Sequence, residues 1–172
     1  MQVKSSPKPP DLSGTSGCAA YQLRRTSRAV ARLYDAAMAA SGLRSTQFAI
    51  LTAIAKLQPV SISRVADLLI IDSTTMTRSL RLLEKEGLVE IAPRGVRRQR
   101  LLTLTLKAEK ALAVAVPLWR DTQARFLASL GGRDWKGFRE VLEHAANVAI
   151  SLENEKNTQK AAANLAGQPR VS

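Results

Sequence analysis

Between residues 73 and 100 the chain carries side chains whose types suit a polyanion. Ser73, Thr74, Thr77, Arg78 and Arg81 fall on one side of a candidate helix, and hydroxyls and guanidinium forks are the groups that bond base edges and phosphate oxygens. No acid lies among these five; Glu84 and Glu86 come only in the last turn. Arg94, Arg97, Arg98 and Arg100 follow, again without an acid between them, which suits a loop gripping phosphates or reaching into a minor groove. Singly, each feature is ordinary, because basic loops are commonly just solvated and Ser/Thr-rich helix starts are commonly just caps. In this order and spacing they point to double-stranded DNA.

Other chemistry is sparse. One Cys and one His exclude an intrachain disulfide and the usual Cys/His zinc cage, so neither metal nor cofactor is expected. There is no glycine-rich phosphate loop and no nucleophile elbow, and His144 has no suitably spaced acid or Ser motif beside it, so an enzyme is not expected. His144 reads as a solvated or capped histidine. Cys18, beside Arg24 and Arg25, is the one residue with redox potential.

The balance of the chain agrees with a polyanionic partner. Its 172 residues carry 26 Lys plus Arg against 14 Asp plus Glu, a formal net charge of +12, at 45% hydrophobic content. That describes a globular protein able to close a core beneath a basic surface. Residues 1–17 and 154–172 lack regularly spaced large apolar residues and read as flexible tails. The apolar stretches are broken well before the roughly 20 residues a membrane span needs, and the prolines near the N-terminus oppose a signal peptide. A cytoplasmic location and no membrane partner are expected.

The elements that must position these groups follow from periodicity. Leu23, Thr26, Val30, Leu33 and Ala37 form one face of a helix from about residue 18 to Ser41, which Gly42 ends. Ser45 can cap a second helix with the face Phe48, Leu51, Thr52 and Ala55, stopped by Pro59. Ser61 can cap a third with Ile62, Val65, Ala66 and Leu69 inward. After an Ile70-Ile71 link, Asp72 or Ser73 caps a fourth with Met76, Leu80 and Leu83 inward. Gly87 supplies a left-handed stop. Residues 88–91 and 100–105 then read as a two-stranded hairpin. Residues 107–130 form a helix-like segment interrupted by Pro117, and Asp134 can cap a last helix with the stripe Trp135, Phe138, Leu142, Ala145, Ala149 and Leu152.

This predicts a mainly α fold with a small β-hairpin wing: a winged helix-turn-helix head over 43–106, flanked by a helical dimerisation region at 18–42 and 107–153. The first and last helices carry apolar stripes too long for a head of about sixty residues to cover, and a second chain would bury them.

The sequence resembles the MarR-type transcription regulators. The resemblance rests on Leu43-Arg44-Ser45-Thr46-Gln47-Phe48, on Val65-Ala66-Asp67-Leu68-Leu69, on Thr75-Met76-Thr77-Arg78, on Leu83-Glu84-Lys85-Glu86-Gly87-Leu88-Val89, and on Arg97-Arg98 and Leu104-Thr105. In order and spacing it covers about residues 20–150. It implies a homodimer whose first, fifth and sixth helices interlock, a palindromic operator, repression, and relief when a small ligand or oxidant is sensed. It also implies a recognition helix over Ser73–Glu86 and wing arginines at Arg97 and Arg98. Two positions depart from the family pattern: Val96 stands where the wing usually has Asp, and Ala108 where Gly is usual.

For the effector, the resemblance implies a pocket between head and dimer region, which Tyr34 and Trp119 could line around a small aromatic or phenolic compound. Core packing is the plainer reading of both. One branch of the family senses hydroperoxides through a cysteine near the start of the first helix. That position falls here on Ala20, one partner tyrosine position on Tyr34 and the other on Arg24, so the sensor site is not reproduced, although Cys18 lies half a turn away. An oxidant-sensing regulator acting through Cys18 and a nonspecific nucleic-acid-binding architectural protein are the alternatives.

Overall fold

The computed structural model describes residues 10–92, 100–131 and 134–166. Its elements run α1 (Ala19–Ala37), α2 (Ser45–Leu57), β1 (Val60–Ser61), α3 (Ile62–Leu69), α4 (Ser73–Lys85), β2 (Val89–Ile91), β3 (Leu101–Leu104), α5 (Leu106–Ser129) and α6 (Trp135–Ala166). They fall into two compact units, Met1–Gln123 and Ala124–Ser172, and the boundary lies inside α5.

The core belongs to the first unit. Met38, Leu51, Ile54, Val65, Met76, Leu80, Leu83 and Leu102 are its most deeply buried large side chains, drawn from the end of α1 and from α2, α3, α4 and β3. Met76, Leu80 and Leu83 recur at steps of four and three, so a single stripe of α4 turns into this core. Removing such a side chain, as in Leu80→Ala, costs about 2–5 kcal/mol through lost burial and the cavity left behind.

Local chemistry sets most helix ends. Ser61 Oγ accepts the Arg64 N–H at 3.3 Å, and Asp72 Oδ1 accepts the Thr75 N–H at 2.9 Å, the side-chain capping expected at both starts. Asp134 Oδ1 does the same for Lys136 at 3.0 Å. Gly87, at φ 68°, takes the left-handed conformation after α4, and Leu88 N–H returns to the Leu83 carbonyl at 2.8 Å. After α3 the same role falls to Ile70, at φ 53° and ψ 47°, where Cβ crowds the following carbonyl.

Several expectations are corrected. The first helix ends at Ala37, and a separate 3-10 turn, Ala39–Ser41, precedes Gly42. Ser45 is not the cap of α2 but its first residue. Its N–H donates instead to Asp35 Oδ1 on α1 at 2.6 Å, while Gln47 Oε1 accepts the Arg44 N–H at 3.0 Å. The buried side of α2 runs through Ile50, Leu51, Ala53 and Ile54, and Ala55 is exposed. Periodicity could not choose here, because α2 is apolar nearly all round.

The hairpin is part of a three-stranded antiparallel sheet in the order β1-β3-β2. Val60 pairs with Leu102 and Ser61 with Leu101, while Val89, Glu90 and Ile91 pair with Leu104, Thr103 and Leu102. A two-residue strand has no period to detect, so β1 is invisible without its partner. α5 is continuous through Pro117. Its first turns seat Ala108, Leu112 and Ala115 in the core, and that packing outweighs one missing hydrogen bond.

α6 runs on to Ala166, so residues 154–166, expected to lie in a flexible tail, are helical. Ala, Lys, Gln, Glu and Leu there are strong helix formers, with no Gly or Pro among them. Tracking large apolar residues alone ended the helix too early.

Candidate nucleic-acid interface

With Met76, Leu80 and Leu83 anchored inward, Ser73, Thr74, Thr77, Arg78 and Arg81 are all exposed. At 100° per residue they span an arc of roughly 140°, and together they line an open depression of about 400 Å³. Among the described residues no carboxylate lies within ion-pair distance of Arg78 or Arg81, so both guanidinium groups keep their donors for a partner. Thr77 Oγ1 donates to the Ser73 carbonyl at 2.7 Å.

The start of α4 carries a negative charge that was read from the sequence only as a cap. Hydrogen bonds from the Thr75 side chain and backbone hold the Asp72 carboxyl below its ordinary range, so it stays ionised at neutral pH. That carboxylate occupies the helix N-terminus where an anion would otherwise sit. The acceptors of a nucleic acid are therefore better met by Arg78 and Arg81, roughly two turns further along the helix.

The far end of α4 is tied from three sides. Gln47 Nε2 on α2 donates to Glu86 Oε2 at 2.8 Å, Lys107 Nζ on α5 donates to the Glu86 carbonyl at 2.6 Å, and Thr105 Oγ1 donates to the Gly87 carbonyl at 2.7 Å. None of these three belongs to the outward face of α4. They were missed because each partner lies 18 to 39 residues away. Their presence makes α4 a fixed platform rather than a loosely hung helix.

Arg100 is exposed just before β3. Arg94, Arg97 and Arg98, and with them Val96, lie outside the described residues. Cys18 is an exposed free thiol immediately before α1 and is not part of the α4 face. His144 is exposed on α6.

Tyr34 and Trp119 belong to packing that joins helices of the first unit. Tyr34 is 9% exposed, and its hydroxyl hydrogen-bonds to Gln123 Oε1 on α5; burial raises its pKa above the usual tyrosine value. Trp119 stacks on Phe48 of α2 with ring centroids 6.1 Å apart. Neither lines the depression at α4.

The sequence profile of the MarR family matches residues 41–99, which contain α2 to β2 and the segment that follows. The DNA-bound Mycobacterium tuberculosis transcriptional regulator MosR is 36% identical, with a TM-score of 0.73, over 78% of this chain and 98% of that one. The chain belongs to the MarR family. Its fold is the winged helix-turn-helix of MarR transcriptional regulators. The transcriptional repressor CouR, solved on a 23-mer DNA duplex, is 25% identical with a TM-score of 0.64, over 83% of this chain and 99% of CouR. An uncharacterized HTH-type transcriptional regulator of Bacillus subtilis, YwoH, is 27% identical over 90 residues, which span 52% of this chain and 66% of that relative. Among the described residues, no helix is long and apolar enough to cross a membrane.

Proposed function

We propose that this MarR-family regulator is a homodimeric repressor that reads a palindromic operator through α4 and is released by a small-molecule effector. The observation that carries the reading is the α4 face itself: three hydroxyl side chains and two guanidinium groups without an ion-pair partner among the described residues, all exposed, on a helix capped at its start and tied at its far end. Ser73, Thr74, Thr77, Arg78 and Arg81 make the groove contacts, and Arg94, Arg97 and Arg98 grip the flanking backbone. The DNA-bound relatives MosR and CouR support a DNA partner.

Dimerisation is supported by α1. Tyr21, Leu23 and Leu33 are 58%, 48% and 43% exposed, although the spacing places Leu23 and Leu33 on an apolar stripe. A second chain covering them would place two α4 helices about 34 Å apart on one face of the duplex.

Effector release is supported by CouR, which has also been solved bound to p-coumaroyl-CoA. A small aromatic or phenolic compound wedged against Tyr34 and Trp119 would strain the Tyr34–Gln123 and Phe48–Trp119 contacts. Those contacts hold α1 and α2 to α5, so the head would shift. A second route is favoured by the exposure of Cys18, whose oxidation would act from the start of α1.

A mobility-shift assay with the DNA upstream of the protein's own coding region tests the reading. Retention against a large excess of random duplex is expected. Equal competition by random duplex would leave only a nonspecific, architectural binder.

A further inference from the structure

Thr77 sits mid-face on α4, one turn after Ser73 and one turn before Arg81. Its hydroxyl is already committed, since Oγ1 donates to the Ser73 carbonyl at 2.7 Å, the back-bond a helical threonine makes to the residue four before it. A β-branched side chain has few χ1 wells, so holding Oγ1 against the backbone also fixes Cγ2. The side chain as a whole is exposed. Thr77 therefore offers a partner a methyl group on a stiff stem. Its neighbours differ: among the described residues, no intramolecular bond engages the hydroxyls of Ser73 or Thr74.

The major groove displays one apolar mark that singles out a base, the C5 methyl of thymine. We infer that Thr77 reads a thymine in each operator half-site by methyl-to-methyl contact and donates no hydrogen bond to a base. A donor role would require Oγ1 to leave the Ser73 carbonyl, exchanging one hydrogen bond for another with no net gain. A methyl contact keeps the back-bond and removes apolar surface from water as well. Arg78 and Arg81, whose forks match the O6 and N7 acceptors of guanine, then supply the polar part of the readout. This inference rests on α4 being the helix that enters the groove.

The test begins by selecting preferred duplexes from a random pool with the wild-type protein, then replacing each thymine of the selected half-site by deoxyuridine, which removes only the 5-methyl group. One position is expected to lose about fourfold in affinity per half-site, the worth of one buried methyl. Thr77→Ser should bind thymine and deoxyuridine duplexes alike, at the reduced level. Thr77→Val, which keeps the methyl and drops the hydroxyl, should keep the wild-type preference. Selection of a defined sequence with no deoxyuridine-sensitive position, or with a sensitivity that survives in Thr77→Ser, overturns the inference and leaves the regulator reading standing. Failure to select any sequence overturns both. The deoxyuridine arm uses unaltered protein, so the outcome does not depend on how either variant folds.

Discussion

Asp35 of α1 caps α2: its Oδ1 accepts the Ser45 N–H at 2.6 Å. A carboxylate from the first helix thus sits at the positive end of the second, ten residues further on. The backbone and side-chain hydrogen bonds from Ser45, followed by the charge of Arg44, hold the Asp35 carboxyl below its ordinary range. The contact fixes how α1 meets the head, because α2 packs against α3 and carries the Gln47 tie to α4.

Asp35→Ala should therefore lower stability by about 1 kcal/mol, the typical cost of losing a cap. For a chain of this size that is about 2–4 °C in Tm. The folded pKa lies below the unfolded value of about 3.9, so the contribution is complete above that pH and fades as pH falls through the folded pKa. Thermal melts from pH 7 to pH 3 should show the wild type and Asp35→Ala converging at the acid end. A constant gap would mean the carboxylate's charge plays no part.

Arg78→Ala or Arg81→Ala should cost about 1–3 kcal/mol on the preferred operator and less on random duplex, since a bidentate base contact is lost. Arg97→Ala should weaken all sequences together and reduce the slope of log K against log salt by about one. Titrations at four or five salt concentrations separate the two patterns. An unchanged slope for Arg97→Ala would remove that arginine from the phosphate contacts.

A charge placed on the exposed stripe of α1 should disperse a dimer. Leu23→Glu or Leu33→Glu would set a carboxylate where a partner's apolar surface is proposed to lie. Light scattering is expected to give twice the chain mass for the wild type and the chain mass for either variant. A dimer that survives both substitutions would place the interface elsewhere.

Ile70 offers a stabilising change. It is 60% exposed and held at φ 53°, a conformation costing a β-branched residue about 1–2 kcal/mol. Ile70→Gly or Ile70→Asn should raise stability by about 0.5–1 kcal/mol, with glycine's gain trimmed by its freer unfolded chain. Denaturant titration reads the difference directly. A loss of stability would show that the isoleucine side chain contributes more packing than its exposure suggests.

Much of the α4 face is legible in the sequence alone, for a local reason. Stripe, cap and outward side chains of one helix depend on residues three or four apart, so Met76, Leu80 and Leu83 determine by spacing alone which way Arg78 and Arg81 point. Asp72 and Ser61 were readable as caps on the same grounds. Even the Thr77 back-bond spans only four residues.

Long-range relations were not legible. Val60 became a strand only by meeting Leu102, and Ser45 lost its role as a cap because Asp35 reached it from another helix. Leu23, Val30 and Leu33 share one stripe by spacing, yet the chain half-buries Val30 and leaves Leu23 and Leu33 exposed. The sequence by itself determined the helix identities, most of their ends and the chemistry on the face of α4, because those depend on backbone propensity and short spacings. Only the tertiary structure decided which partners hold α4 in place, which strand completes the sheet and which apolar residues stay uncovered, because those depend on groups far apart in sequence meeting in space.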